Sequence, residues 1–541
     1  RFIDRGYGWA LEFSLKHRWV IVLAAILTVY ATGPLFRAVG KDFLPRDDQS
    51  EFEITVQTPE GYTLERSTQA IQELARRVGA LRGVKHTLVT IGDTTGLVGA
   101  GEGDVTTGAI YVRMKELEER KFTQFDVMAD ARRILAEYPD LRTSVQAVNL
   151  FGGGGQRMSD FEFDLVGPEI EKLEEYSNAI MAEMRKTPGF VDVDSTLALR
   201  KPEIRVNIDR KKAADLGIRV EDVAGTLRTL VGGEPVTKYK EADEQYDVWL
   251  RASLLNRDDP KAIYNLAVAR PNGELVRLSN LVTLDEARGP AQIDRFSRQR
   301  KVTIVANLDH LALGDAVKQV NDIVAKVDMP QLYGIRFANR AKSLAETGTN
   351  FAIAFLLSVL FMYMILAAQF ESFLHPITIM LSLPLSIPFA LLSLLILHET
   401  LNIYSILGLF MLFGIVKKNG ILQVDYTNTL RAEGMPRDEA IITANHVRLR
   451  PILMTTVMLV LGMIPIALGR GPGAASRASM ANVIVGGQTL CLLLTLLVTP
   501  VAYSLFDDLG RFFRTSAWLD RVRALAGRVR ESVGSALPTG G

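Results

Sequence analysis

Cysteine is nearly absent: the one thiol among 541 residues is Cys491, inside an apolar run. A single thiol excludes an internal disulfide and a cysteine metal cluster. Net charge is also missing, since 62 basic and 61 acidic side chains leave +1. The chain therefore gives no sign of the basic stripe that nucleic-acid binding needs. No Walker A sequence, HExxH or GxSxG occurs, so no ATP motor or hydrolase site is recognisable. Two glycine-rich stretches, GLVGAGEG at 96 to 103 and GGGG at 152 to 155, lack the Lys-Ser/Thr that completes a phosphate cradle. They read as flexible connectors. The first residue is Arg1 rather than Met, and an upstream part is expected.

Apolar runs are what the sequence has in quantity. Six reach the length of about 18 residues that a bilayer crossing needs: 19 to 36, 351 to 368, 374 to 397, 401 to 425, 451 to 469 and 480 to 506. The first follows Arg5, Lys16 and Arg18 and is too long for the core of a cleavable signal. With alternating spans, the N-terminal flank, the loop carrying Arg431, Arg437, Arg448 and Arg450, and the tail carrying Arg511, Arg514, Arg521 and Arg523 share one side. The positive-inside rule makes that side cytoplasmic and puts the long segment between the first two spans across the membrane.

That segment repeats one pattern. EFEITVQTP alternates with a period of two, and Ile71, Leu74, Val78 and Leu81 recur at helical spacing. DFEFDLV with the helical stretch from Glu169 follows, then KVTIVANL with the helical stretch from Ala312. Repeated strand-helix-strand units predict split βαβ sandwiches, each sheet covered by helices on one face. The predicted fold class is thus an α-helical membrane domain of six transmembrane helices plus an α+β domain.

Inside LGLFMLFGIVKKNGILQVDYTN, Lys417 and Lys418 stand where an ammonium costs roughly 2.5 to 3.5 kcal/mol. They diverge by about 100 degrees on a helix. Lys417 reads as snorkelling toward headgroups. Lys418, beside Asn419 and on one face with Asp425, is expected to face a polar bundle interior. Asp425 reads equally as an interfacial carboxylate or a functional one. On the next span Thr455 lies seven residues after Arg448, on the same face, although a membrane threonine commonly bonds its own helix carbonyl. No carboxylate of these spans lies at the depth of Lys418, so its best counter-charge is expected outside this chain.

Four motifs in one order, KPEIRVNIDRKKAADLGIRVEDV, LAAQFESFLHPITIMLSLPL, GIVKKNGILQVDYTN and RLRPILMTTVMLVLGMIPIALGRGPGAASR, resemble the C-terminal half of resistance-nodulation-division (RND) transporters. The likeness is closest to the hydrophobe/amphiphile multidrug efflux pumps. It implies a secondary active transporter rather than an enzyme, in the bacterial inner membrane as a homotrimer, with its large domain in the periplasm. It implies protons as the coupling ion, no cofactor and no metal, and export of amphiphilic small molecules. Its implied partners are an N-terminal half bearing an aspartate pair, a periplasmic membrane-fusion adaptor and an outer-membrane channel.

By the same resemblance, 1–44 is the first transmembrane helix with its flanks and 45–158 a ferredoxin-like porter subdomain. A second porter subdomain combines 159–199 with 290–342 around a docking insertion at 200–289. Five transmembrane helices fill 343–506, and 507–541 is a cytoplasmic tail. The implied proton relay is Lys418, Arg448 and Thr455 with Asn419, and Asp425 is an accessory. The implied substrate cleft carries Leu88, Tyr111, Phe161, Phe163 and Leu165, and its switch loop contains Gly96, Gly99, Gly101 and Gly103. Alternating phenylalanines on a strand equally mark a core face. Metal export, a sister activity, would favour methionines along the path, where there are only scattered ones such as Met114, Met128 and Met158. A SecD/SecF-type translocation accessory and a lipid exporter are the further alternatives.

Overall fold

Two helices open the chain: α1 (Phe2–Lys16) and α2 (Arg18–Ala38), the first apolar span. The computed structural model describes residues 2–59, 61–92, 105–148, 159–198, 200–257, 259–290, 293–469 and 471–515. Gly96, Gly99, Gly101 and Gly103, the run 152 to 155, and the tail from 516 lie outside the described residues. Residues 196–298 form one compact unit, and the chain on either side of them forms another.

After α2 come β1 (Glu51–Gln57), α3 (Leu64–Gly79), β2 (Val84–Ile91), β3 (Thr107–Met114), α4 (Gln124–Leu135) and β4 (Arg142–Ala147). They make an antiparallel sheet of order β2-β3-β1-β4. The period-two pattern of β1 sends Phe52, Ile54 and Val56 to one face, where Ile71, Leu74 and Val78 of α3 and Val127 and Ala131 of α4 cover them. Thr63 starts α3 by accepting from Arg66 N, and Thr123 and Asp126 close a capping box on α4. Such caps satisfy amides that the first helical turn leaves without partners.

The second sandwich begins with β5 (Phe161–Gly167), α5 (Ile170–Lys186) and β6 (Phe190–Ser195). The chain then leaves for the inserted unit, which contains β7 (Arg200–Ile208), α6 (Arg210–Asp215), α7 (Val220–Leu227), β8 (Glu234–Glu241), β9 (Glu244–Leu250), α8 (Pro260–Ile263), β10 (Ala267–Ala269), β11 (Leu275–Arg277), β12 (Val282–Pro290) and β13 (Arg295–Phe296). It runs from 196 to 298, wider than the insertion expected at 200–289, and its β7 and β12 pair from Ile208 opposite Val282 out to Arg200 opposite Pro290. Its own core gathers Ala213, Ile218, Val223, Ile263, Val268 and Leu278, while the β8–β9 hairpin is exposed.

The chain returns as β14 (Gln299–Leu308), α9 (Leu313–Lys326) and β15 (Gly334–Phe337). In this unit β14 lies between β5 and β6, and β15 borders β5, all antiparallel. Both sandwiches therefore share the strand-helix-strand-strand-helix-strand order of a split βαβ fold.

The remaining helices are α10 (Asn339–Phe370), α11 (Leu374–Met380), α12 (Ser382–Ile396), α13 (Ile403–Ala432), α14 (Arg437–Ala467) and α15 (Ala474–Thr515). With α11 and α12 counted as one span, six described helices are long and apolar enough to cross a membrane. The joint at Leu381 follows from Pro384, which cannot donate to the carbonyl four residues back. Over half of the most apolar stretch of α11–α12 and of α15 is buried (56% each), against 6% for α2 and 11% for α10, so the former are central and the latter peripheral. Small residues let the central helices approach: a Cβ on Gly486 would stand 2.1 Å from the Ser393 Cβ, and one on Gly487 2.3 Å from a Leu412 methyl.

Candidate functional site: an uncovered cationic helix face and two sheet faces

Helix α13 has two faces of opposite character. Ser405, Gly408, Leu412, Val416, Asn419, Gln423 and Thr427 recur every three or four residues and are buried. Leu407, Met411, Gly414, Lys418 and Asp425 form an exposed stripe. Lys418, expected in a polar bundle interior, does not face the interior of these six spans; it sits mid-helix on the face they leave uncovered. Asn419 is 5% exposed and points the other way, so the structure does not bring it to Lys418. The cause is the 100-degree turn per residue. Lys417 is half-buried.

Arg448 lies with its guanidinium 4.6 Å from the Tyr426 ring centroid, and its Nε is buried without a hydrogen-bond partner among the described residues. Tyr426 is eight residues past Lys418, about 12 Å along the axis at about 1.5 Å per residue. Because α14 runs back along α13, Thr455 returns to roughly the depth of Lys418. Its hydroxyl donates to Ile452 O at 3.1 Å, the local bond expected of a membrane threonine. Among the described residues neither Lys418 nor Arg448 forms an ion pair, and Asp425, though on the Lys418 stripe, does not pair with it. What the structure places along these two helices is two cations, a hydroxyl and an open face.

A second polar feature escaped the sequence reading. Asn419, Gln423 and Thr427 of α13, Asn445 and Thr456 of α14, and Gln488, Thr495 and Thr499 of α15 are all buried. Gln488 Nε2 donates to Thr456 Oγ1 at 3.3 Å, while Gln423 Nε2 and Gln488 Oε1 have no partner among the described residues. The i, i+4, i+8 spacing of Asn419, Gln423 and Thr427 was the available signal. At the span ends, Arg431 donates to Tyr503 OH at 2.8 Å and to Asp507 at 3.1 Å, and Arg18 to Asp508 at 2.7 Å.

The cleft residues divide. Leu88 stands opposite Tyr111, and Tyr111 opposite Glu53, in a row on the sheet face away from the helices. Leu88 is 52% exposed. Tyr111 OH donates to Glu51, which also accepts from Arg113 at 2.9 Å, and burial together with Glu51 raises the phenol pKa.

Phe161, Phe163 and Leu165 are not cleft residues. They are 1%, 0% and 0% exposed, with Phe190 and Phe337 rings 6.0 Å from Phe161. Their alternation marks the face beneath α5 and α9. The opposite face of β5 presents Glu162 and Asp164. Asp164 accepts from Thr303 Oγ1 at 2.8 Å, Lys301 Nζ at 3.1 Å and Arg336 Nη2 at 3.1 Å. Burial opposes its charge, yet those three donors outweigh burial and hold its pKa below the carboxylate norm. Glu162 is pushed up by burial and by Asp164, and it accepts from Asn339 Nδ2.

A sequence model of the AcrB/AcrD/AcrF family matches residues 1–507. The chain belongs to this family. It is 29% identical over 516 residues to multidrug resistance protein MdtC of Erwinia amylovora, covering 94% of this chain and 49% of that protein. Against MdtC of Proteus mirabilis the identity is 27% over 508 residues, with coverage of 93% and 49%. Two crystal forms of a heavy metal efflux pump superpose with TM-scores of 0.84 and 0.83 at 25% identity, over 94% of this chain and 53% and 52% of theirs. The chain thus spans about half the length of the curated relatives it matches. The RND resemblance carried by the four motifs is thereby shown, and the chain is a multi-span membrane member of that family.

Proposed function

We propose that this chain is the C-terminal half of an inner-membrane RND pump that uses the proton-motive force to export hydrophobic or amphiphilic small molecules. The observation that carries the reading is the uncovered α13 face, with Lys418 mid-span and Arg448 one helix away, both without a carboxylate. A first half bearing an aspartate pair would supply the counter-charges. Ionised, they would hold Lys418; protonated, they would release it and let α13 move, a two-state element biased by about 2.3 kcal/mol per charge per 100 mV. On this reading the two sandwiches are porter subdomains, the unit 196–298 docks toward an adaptor and an outer-membrane channel, and the pump works as a trimer without catalysing a covalent reaction.

The likeness to a heavy metal efflux pump favours a second reading, metal export. Met114 and Met128 are packed in the first sandwich core at 0% and 5% exposure and so lend it nothing, and Met158 lies outside the described residues. The test is Lys418→Ala in the pump that contains this chain. Loss of efflux with normal abundance and trimer yield is expected, whereas Lys417→Ala retains most activity. The reverse ranking, in susceptibility assays with dyes and detergents, would mean that α13 presents the other lysine to its partner.

A further inference from the structure

One nine-residue segment, 40 to 48, joins the spans to both sandwiches. It begins just past Val39, the C-cap of α2, and reads GKDFLPRDD. Its first half is bound to the approach to α13: Leu401 N donates to Gly40 O at 2.8 Å, Asp42 N to Leu401 O at 3.1 Å, and Ile403 N to Phe43 O at 3.3 Å. Asp42 Oδ1 accepts from Leu313 N, the first residue of α9, at 2.7 Å, and Lys41 O from Gly314 N at 2.8 Å. Arg46 Nη2 then donates to Leu308 O and Leu311 O, each at 3.1 Å, beside the same helix.

The second half repeats the device on two more helices. Asp47 accepts from Gly473 N at 2.5 Å and from Ala475 N at 3.2 Å, capping α15. Asp48 Oδ2 accepts from Gln124 N, the first residue of α4, at 2.8 Å, and its other oxygen takes Arg120. Three aspartates in seven residues therefore hold the N-termini of α9, α15 and α4, and the main chain holds that of α13. A carboxylate at a helix N-terminus combines a charge-assisted hydrogen bond with the favourable end of the helix dipole. Each attachment is stiff and directional.

We propose that residues 40–48 are the strap that transmits displacement of α13 and α15 to the two sandwiches, with Asp42, Asp47 and Asp48 as its positioning residues. The proposal rests on the proton-driven reading above, in which α13 moves when the charges facing Lys418 change. Asp47 and the Phe43 and Leu401 bonds take up the motion. Asp42 delivers it to α9 of the second sandwich, and Asp48 to α4 of the first. Because α13 and α15 are themselves tied where Asn402 Nδ2 donates to Ser479 Oγ at 2.9 Å, both helices load the strap together. A physical coupling claim needs such an element, biased from one end and read at the other.

The test uses the whole pump in proteoliposomes, with Cys491→Ser and an environment-sensitive fluorophore on one introduced cysteine. Arg133→Cys reports on α4 and Lys318→Cys on α9, both at exposed positions (78% and 66%). Imposing a pH gradient should change both signals in the otherwise unaltered pump. Asp42→Ala should cut the α9 response at least fivefold and leave the α4 response within twofold. Asp47→Ala should depress both, with dye binding and the thermal midpoint unchanged, and Asp47→Asn, which keeps an acceptor oxygen, should restore them. Where Asp47→Ala fails to assemble, the probe-selective loss in Asp42→Ala decides alone, since a merely structural role would weaken both probes alike. Undiminished responses in Asp42→Ala, or equal losses at both probes, overturn the strap. Protonophore-insensitive efflux by the unaltered pump sinks the proton-driven reading instead.

Discussion

Asp164 and Lys418 are both charged groups placed mid-element, one in strand β5 and one in helix α13. Asp164 is 1% exposed and is met by donors from β14 and β15, all within its own sandwich. Lys418 is exposed on its helix and makes no ion pair among the described residues. The sandwich completes its buried charge with residues of this chain, whereas the span presents a charge that no described residue of this chain pairs. Substitutions in the sandwich should therefore act on stability, and substitutions on the open α13 face on transport.

The largest stability effect is expected in the aromatic core. Phe163→Ala removes a ring that is 0% exposed and stands 5.7 Å from Phe161 and 6.2 Å from Phe337. Such a cavity costs about 3 to 5 kcal/mol. Thermal unfolding in detergent and abundance in membranes should fall, and efflux of every compound should fall in proportion. A changed substrate profile at normal abundance would return Phe163 to the cleft and dissolve the contrast drawn above.

Asp164→Ala comes next. Removing one partner of a buried ion cluster costs about 3 to 5 kcal/mol, and the lower end is expected because Lys301 and Arg336 keep 26% and 40% of their side-chain exposure. The pH dependence has a definite sign. The folded-state pKa of Asp164 is depressed, so its contribution is full above the unfolded value of about 3.9 and is lost as pH falls through the folded value. Melting curves from pH 7 down to 3 should show the parent protein losing an increment of stability that the Asp164→Ala protein no longer has to lose.

How much of this was legible depended on whether the deciding contact was local. Six spans and two sandwiches could be read because hydrophobic period and run length are properties of neighbouring residues. The faces of β5 could not: FEFDLVG alternates Phe161 and Phe163 with Glu162 and Asp164, and only the position of α5 and α9 decides which pair is core. Lys418 stood out in the sequence as a charge inside a span, but its direction depends on which face of α13 the other spans cover. The strap was invisible for the same reason. Three aspartates near the start of a loop look like ordinary solvated charge until Leu313, Gly473 and Gln124 arrive from 76 to 426 residues away.

The smallest stability effect, and the sharpest test of where the cleft face lies, is Leu88→Ala. Leu88 stands on the sheet face away from α3 and α4, 52% exposed, so truncation should change unfolding by no more than about 0.5 kcal/mol. If an amphiphilic molecule lies across the row of Leu88 and Tyr111, the lost apolar contact should weaken it by about 1 to 2 kcal/mol, roughly 5- to 30-fold in Kd. Equilibrium binding of a fluorescent amphiphilic dye to the purified pump measures this directly. Tyr111→Phe is the companion: its hydroxyl is engaged by Glu51 and its ring remains, so dye affinity should change far less than in Leu88→Ala. Unaltered binding in Leu88→Ala, with Phe163→Ala already showing a uniform loss, would leave neither face of the two sheets as the ligand surface and would move the search to the polar column between α13, α14 and α15.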